Sequence, residues 1–277
     1  MILALDIGNT NISICVFNPS SANPYSPSYK FRISSKNYSS DEYKIIIRDF
    51  LFRNNVICLS ESYKYIDNQF DIVDSAVISS VVPYLTETLA QAVSELCVKP
   101  PFIIRNGIKT GFGIKTKNPE QLGADIVSNV KAAFNFTSPP FVVLDMGTAT
   151  TLTVVNKSSD IIGTIIVPGL KISLEALSES AAQLNDIVLE KKDELIGRDT
   201  QSSICSGVIN GNIYMIDGFI RNIREQICPK DTDTKLGLVA TGGLSHHVIP
   251  YTRNKFIFEE NLTLIGELLL YINNISI

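Results

Sequence analysis

Two short segments carry residue types suited to holding a polyphosphate. Ile2-Leu-Ala-Leu-Asp6-Ile-Gly8-Asn9-Thr10-Asn11 opens the chain, and Phe141-Val-Val-Leu-Asp145-Met-Gly147-Thr148-Ala-Thr150-Thr151 repeats the pattern half a chain later. In each, an apolar run leads into Asp-x-Gly, hydroxyl or amide residues follow, and a second β-rich run comes next. The pattern predicts two β-hairpins. Backbone N–H groups at a glycine-containing tip form a nest for anions, and an Asp beside it can hold a phosphate-bound Mg²⁺ through oxygen. Asp and Gly are also ordinary turn residues, so either tip alone says little. Repeated behind matching strands, the pair favours phosphate binding, and two such tips facing each other would clamp a nucleotide triphosphate.

Two further groups could complete such a site. Asp125 follows Gly123 and Ala124, small residues that let a substrate approach a helix surface. A lone helical carboxylate carries no motif specificity, and most are simply solvated. Leu238-Val-Ala-Thr241-Gly242-Gly243 sends an apolar strand into a bare backbone, against which adenine or ribose could lie because glycine has no Cβ. The only histidines, His246 and His247, are adjacent; as strand neighbours they would point to opposite faces and read as surface residues. No Walker-type Gly-x-x-x-x-Gly-Lys-Ser/Thr occurs, and no setting for Ser-His-Asp catalysis is recognisable.

The elements that must position these groups alternate in an α/β manner. Residues 18–29 read as a surface loop and residues 31–33 as a third strand. Ser39-Ser-Asp41-Glu42 reads as a helix start, residues 75–81 as a buried strand, 86–96 as a helix and 101–104 as another strand. Asn118-Pro119-Glu120-Gln121 has the form of an N-cap with proline at the first position, predicting a helix that runs on to Phe134. A boundary near residue 114 gives two domains, 1–114 and 115–277.

Composition narrows the class. A hydrophobic fraction of 45% and a charged fraction of 19% are ordinary for a folded protein. A net charge of −4 and a pI near 5.3, without a basic stripe, argue against general nucleic-acid affinity. Apolar stretches such as 262–272 are too short to span a bilayer, and Met1 leads into the first strand without a basic leader. The five cysteines are odd in number, scattered and lack Cys-x-x-Cys spacing, which speaks against a disulfide framework or zinc site. A cytoplasmic protein with reduced thiols is expected.

Taken together, the duplicated Asp-x-Gly hairpins and the late Thr-Gly-Gly resemble the acetate/sugar kinase, Hsp70 and actin superfamily. Within it, the chain is similar to type III pantothenate kinases over almost its full length. The resemblance runs through 5–11, 78–83, Asn118-Pro119 with 122–125, 145–151, 168–170 with 173–177, 197–200 with 206–207, 240–244 and 262–266. It implies duplicated actin-like (ribonuclease H-like) domains with mixed sheets flanked by helices, in a homodimer with the acceptor pocket near its interface. ATP, Mg²⁺ and a monovalent cation (K⁺ or NH₄⁺) are the implied cofactors, pantothenate the implied substrate, and 4′-phosphopantothenate, the entry to coenzyme A, the implied product. By resemblance Asp6, Gly8, Asn9, Thr10 and Asn11 meet the phosphates, with Asp6 and Asp145 at the metal. Gly147, Thr148 and Thr150 close the cradle, Gly242 and Gly243 lie near the adenosine, and Gly123, Ala124 and Ala181 line the acceptor. Asp125 matches the general base.

The chain departs from the family pattern around the acceptor. Gly-Ala-Asp-Arg becomes Gly123-Ala124-Asp125-Ile126; a Tyr usual before Asn-Pro appears as Thr116; a frequent Thr falls at Ala181; and a Gly-Gly pair is Gly163-Thr164. Losing a charged donor typically costs about 1.5–3 kcal/mol of binding, although Lys115, Lys117 or Arg198 could supply charge instead. Pantothenate kinase is the leading expectation. A kinase for another small hydroxylated acceptor, or a non-catalytic nucleotide-binding regulator on the same fold, are the alternatives.

Overall fold

The computed structural model describes residues 1–56, 73–179, 187–191, 194–228 and 235–275. Its elements in chain order are β1 (Ile2–Ile7), β2 (Asn11–Phe17), β3 (Tyr29–Ser34), α1 (Ser40–Arg53), β4 (Ser75–Ser80), α2 (Pro83–Ser94), β5 (Phe102–Ile103), β6 (Gly113–Ile114) and α3 (Ala124–Ala133). There follow β7 (Phe141–Met146), β8 (Ala149–Val155), β9 (Asp160–Pro168), α4 (Leu170–Glu179), α5 (Thr200–Cys205), α6 (Gly211–Ile227), β10 (Gly237–Thr241), β11 (Ile257–Phe258) and α7 (Leu262–Ile275). Two compact units interleave along the chain. The first comprises Met1–Gly111, Glu120–Ala132 and Asn261–Ile277, the second Phe112–Pro119 and Ala133–Glu260. Helix α7 and most of α3, with Asp125, therefore belong to the unit of the first hairpin.

The first unit holds a five-stranded sheet in the order β3-β2-β1-β4-β5, antiparallel up to β1 and parallel beyond it. The second repeats the order as β9-β8-β7-β10-β11, with the same directions, and adds β6 at the β9 edge. The duplication reaches single residues. Strands β1 and β7 share one burial pattern and β2 and β8 another, so Asp6 and Asp145 are each the half-buried position in an otherwise buried strand. One difference separates the hairpins. Ile7 pairs Ile12 around a tip of Gly8 to Asn11, whereas Met146 pairs Thr150 around Gly147 to Ala149, a tip one residue shorter.

Strand alternation explains which groups meet which helices. In the first unit Leu3, Leu5, Ile7, Ile12, Ile14, Ala76 and Ile78 build one core with Tyr43, Ile47 and Leu51 of α1 and Leu85 and Leu89 of α2. The intervening residues Ala4, Asp6, Ser13, Cys15, Val77 and Ser79 must then point to the other face, where α7 packs on β1 and β4. The second unit has the same logic, with Val142, Leu144, Met146 and Ala240 packed on Ile213, Ile216 and Ile220 of α6 and Asp145 out of phase with them.

Local signals set the helix starts. Ser39 caps α1: its hydroxyl accepts the Glu42 N–H, and the Glu42 carboxylate accepts the Ser39 N–H at 2.8 Å. Loss of such a cap costs about 1 kcal/mol, so Ser39→Ala is expected to lower the melting temperature by roughly 2–4 °C, measurable by calorimetry. Helix α2 begins at Pro83, ahead of the expected Thr86, because proline lacks only an N–H that the first turn leaves unused. The expected helix from Pro119 to Phe134 is broken. One 3₁₀ turn spans Pro119–Gln121, and α3 starts afresh at Ala124 after Gly123.

Candidate active site

In the first unit, Asp6 lies at the end of β1 with Ser13 opposite on β2 and Ser79 opposite on β4. The tip beyond it is tight. The Gly8 N–H donates to the Asn11 carbonyl at 3.0 Å, the Ser35 hydroxyl donates to the Gly8 carbonyl at 2.6 Å, and the Ser35 N–H donates to the Thr10 carbonyl at 3.0 Å. Asn9 and Thr10 are exposed at the apex, with Gly8 and Asn11 half-buried beneath them. The hydroxyl of Ser79 is buried and has no hydrogen-bond partner among the described residues. Oxygen groups of this kind, Asp6 with neighbouring hydroxyls, suit a hard cation such as Mg²⁺.

Asp125 belongs to the same unit, in the first turn of α3. Its carboxylate accepts the Ile126 N–H at 2.8 Å. A Cβ on Gly123 would overlap that carboxylate, so the glycine, in the break between the 3₁₀ turn and α3, makes room for the acid. Burial pushes the Asp125 carboxyl above its usual range, while the backbone N–H groups of Ile126 and Asp125 pull it part of the way back. A carboxylate that is harder to ionise than usual holds a transferred proton more firmly, as a general base requires.

The raised value has a thermodynamic consequence. An acid with a folded pKa above its unfolded one gives stability that is full below the unfolded pKa and lost as pH rises through the folded pKa. Asp125→Asn is therefore expected to melt above the wild type at neutral pH. The gap should close as the pH is lowered to about 4, the ordinary range of an aspartate; a melting series across pH checks this.

The second unit assembles the other expected groups in register. Asp145 pairs Thr151 on β8 and Thr241 on β10. Gly242 follows with φ +99, and a Cβ there would meet the Met146 backbone at 2.5 Å, so only glycine lets β10 turn off against the end of β7. Gly169 is equally constrained, packed on the carbonyls of Gly147 and Thr148. Thr148 is exposed at the tip; the Thr150 hydroxyl is buried without a partner among the described residues. The structure thus groups Asp145, Gly147, Thr148, Thr150, Gly242 and Gly243 at one end of this sheet. His246 and His247 are not strand neighbours. They sit in a 3₁₀ turn with ring centroids 3.9 Å apart, and His246 Nδ1 lies 2.9 Å from the Gly243 carbonyl. Ala181 lies outside the described residues.

Around the acceptor expectations, Ile126 is half-buried beside Asp125 in the first unit. Thr116 lies in the second unit, its hydroxyl buried without a partner among the described residues. Sequence reasoning did not single out Ser13 and Ser79, whose places opposite Asp6 are set by strand register, or Glu267 of α7, whose carboxyl is raised first by burial and then by Asp6 and Asp125.

Comparison with known proteins accords with this geometry. Among solved structures, a conserved Baf-family protein of Campylobacter jejuni has a TM-score of 0.56 at 18% identity, covering 99% of this chain and 100% of its own. The ethanolamine utilization protein EutJ of Carboxydothermus hydrogenoformans has a TM-score of 0.50 at 14% identity, covering 97% and 89%. These likenesses show the fold. The architecture is a duplicated actin-like α/β fold, and the family match places the chain in the class of ATP-dependent small-molecule kinases. The sequence model of the type III pantothenate kinase family matches residues 2–222. Type III pantothenate kinases of Agathobacter rectalis and Dictyoglomus turgidum are each 36% identical, covering 98% and 99% of this chain and 96% and 100% of their own. That of Halalkalibacterium halodurans is 32% identical, covering 99% and 100%. The chain belongs to the type III pantothenate kinase family.

Proposed function

We propose that this chain transfers the γ-phosphoryl group of ATP to the primary hydroxyl of pantothenate, giving 4′-phosphopantothenate and ADP, the first step of coenzyme A biosynthesis. Full-length family membership supports the reading, and the observation that carries it is Asp125. It is a partly buried carboxyl in the first turn of a helix, with the small residues Gly123 and Ala124 before it. The hydroxyl oxygen forms the new bond to the γ-phosphorus, the bridging P–O bond to ADP breaks, and the hydroxyl proton passes to Asp125. Asp6, Gly8, Asn9, Thr10 and Asn11, with Asp145, Gly147, Thr148 and Thr150, orient the phosphates; Gly242 and Gly243 lie near the adenosine.

Phosphoryl transfer asks mainly for in-line placement and charge neutralisation. By the family resemblance, Asp6 and Asp145 would hold Mg²⁺, which would supply neutralisation of the phosphate oxygens. A monovalent cation, K⁺ or NH₄⁺, is implied by the family resemblance alone. The resemblance also supports a cytoplasmic homodimer; among the described residues no helix is long and apolar enough to cross a membrane.

One observation favours a second acceptor class. Ile126 replaces a cation next to the base, so an acceptor without a carboxylate would bind with less penalty. Release of ADP should be followed with pantothenate and with a panel of neutral primary alcohols of similar length, each with Mg²⁺ or K⁺ omitted in turn. Preference for pantothenate supports the first reading, and preference for a neutral alcohol replaces it with the second.

A further inference from the structure

Helix α7 has one charged residue in the sequence Leu262-Thr-Leu-Ile-Gly266-Glu267-Leu-Leu-Leu-Tyr-Ile-Asn-Asn-Ile275, and that residue is wholly buried. Neither oxygen of Glu267 has a hydrogen-bond partner among the described residues. An unpaired buried carboxyl is costly, and a Leu would fill the same helix position more cheaply. Its surroundings show why it matters. The helix packs on β1 and β4, over the face that carries Ala4, Asp6, Ser13, Cys15 and Ser79. It also crosses α3 backbone to backbone, since a Cβ on Gly266 would overlap the Ser128 carbonyl. The Thr263 hydroxyl donates to the Asn129 side chain at 2.8 Å and pins the crossing one turn away.

We propose that Glu267 is a positioning residue of the transfer site, a wholly buried carboxyl of α7 packed behind the face of β1 and β4 that carries Asp6, in the unit that also holds Asp125. The inference rests on the kinase reading given above. Complete burial without a hydrogen-bond partner among the described residues is the leading cause that holds the Glu267 proton well above the usual carboxylate range. From β2 the Cys15 thiol faces the same space, pushed up first by its own burial, with Lys30 of β3 opposing. Strand β4 presents hydroxyl and apolar groups here, Ser79 and Val77. A neutral Glu267 leaves room for incoming phosphates; an ionised one adds a third negative charge where they must bind.

The test compares the full chain with Glu267→Gln, which has the shape of the protonated acid and cannot ionise. First, melting is followed against pH without substrates. Since the folded pKa is raised, Glu267 gives stability below about pH 4.5 and loses it as pH rises through the folded value. The Gln variant should therefore melt increasingly above the wild type with rising pH. Second, the pH profile of kcat is measured with saturating ATP and pantothenate. The alkaline limb should move upward in the variant by about one pH unit or more, a rate advantage of about tenfold on that limb. A limb that superimposes on the wild type, or a melting gap that is flat across pH, overturns the proposal and leaves Glu267 as core filling. A wild type without turnover defeats the kinase reading and this proposal together, while the melting series still reports the state of Glu267.

Discussion

Replacement of Asp125 by Asn is expected to lower kcat for pantothenate phosphorylation by about 10²–10⁴-fold, the usual range for a lost general base. ATP affinity should stay within a few-fold. The amide fills the same space beside Gly123 and can accept the Ile126 N–H that the carboxylate accepts now at 2.8 Å, so the turn that positions it is retained. What would disappear is the proposed acceptor of the hydroxyl proton. Steady-state kinetics paired with a direct ATP titration separates the two effects. An unchanged kcat would remove Asp125 from the base role. Because the same variant should melt above the wild type at neutral pH, a collapsed fold and a lost base give opposite readings in the melting experiment. Stability surrendered for function is the expected signature of an active-site acid held in a desolvated place.

The largest effect on stability should come from Gly266→Ala. Elsewhere in a helix this substitution is favourable. Here a methyl group would overlap the Ser128 carbonyl oxygen and carbon, both backbone atoms of α3 that have no rotamer by which to retreat. The two helices must separate. Overpacking of this kind costs about 1–3 kcal/mol and occasionally more; against rigid backbone the upper end is expected. A loss near 3 kcal/mol corresponds to a melting-temperature drop of roughly 6–12 °C for a domain of this size. Since α3 carries Asp125 and α7 carries Glu267, the surviving folded protein should also lose kcat more than ATP affinity. Calorimetry and kinetics on the same preparation check both; a variant as stable as the wild type would show that the crossing is looser than described.

The parts of the site that sequence made legible are those set by short-range patterning. Asp6 and Asp145 stand at matching points of two hairpins because the apolar alternation, the Asp-x-Gly step and the β-rich return are all written within about a dozen residues. The one-residue difference between the tips depends on strand register, which periodicity leaves open. The sequence pattern puts Gly123 inside a helix, yet it lies in the break before α3 and admits the Asp125 carboxylate; propensity alone does not distinguish those roles. The histidines would be strand neighbours if the strand ran on, whereas the positive φ of Gly242 turns the chain first and the two rings lie tilted at 40° in a 3₁₀ turn.

Glu267 shows the limit most clearly. A single charge in an apolar helix looks like a solvent-facing position, and its burial follows only from where α7 lands on β1 and β4, contacts made with the far end of the chain. The division into units has the same origin. A boundary near residue 114 divides the chain in sequence, while compactness returns residues 120–132 and 261–277 to the first unit.

The most direct test is the identity of the product. Purified protein would be incubated with ATP, Mg²⁺, K⁺ and millimolar pantothenate, and the mixture resolved by mass spectrometry beside an Asp125→Asn control. The account predicts 4′-phosphopantothenate and ADP in equal amounts from the wild type and almost none from the control. Intact pantothenate, with ATP binding confirmed separately, would contradict it and assign this chain a different acceptor or a regulatory role.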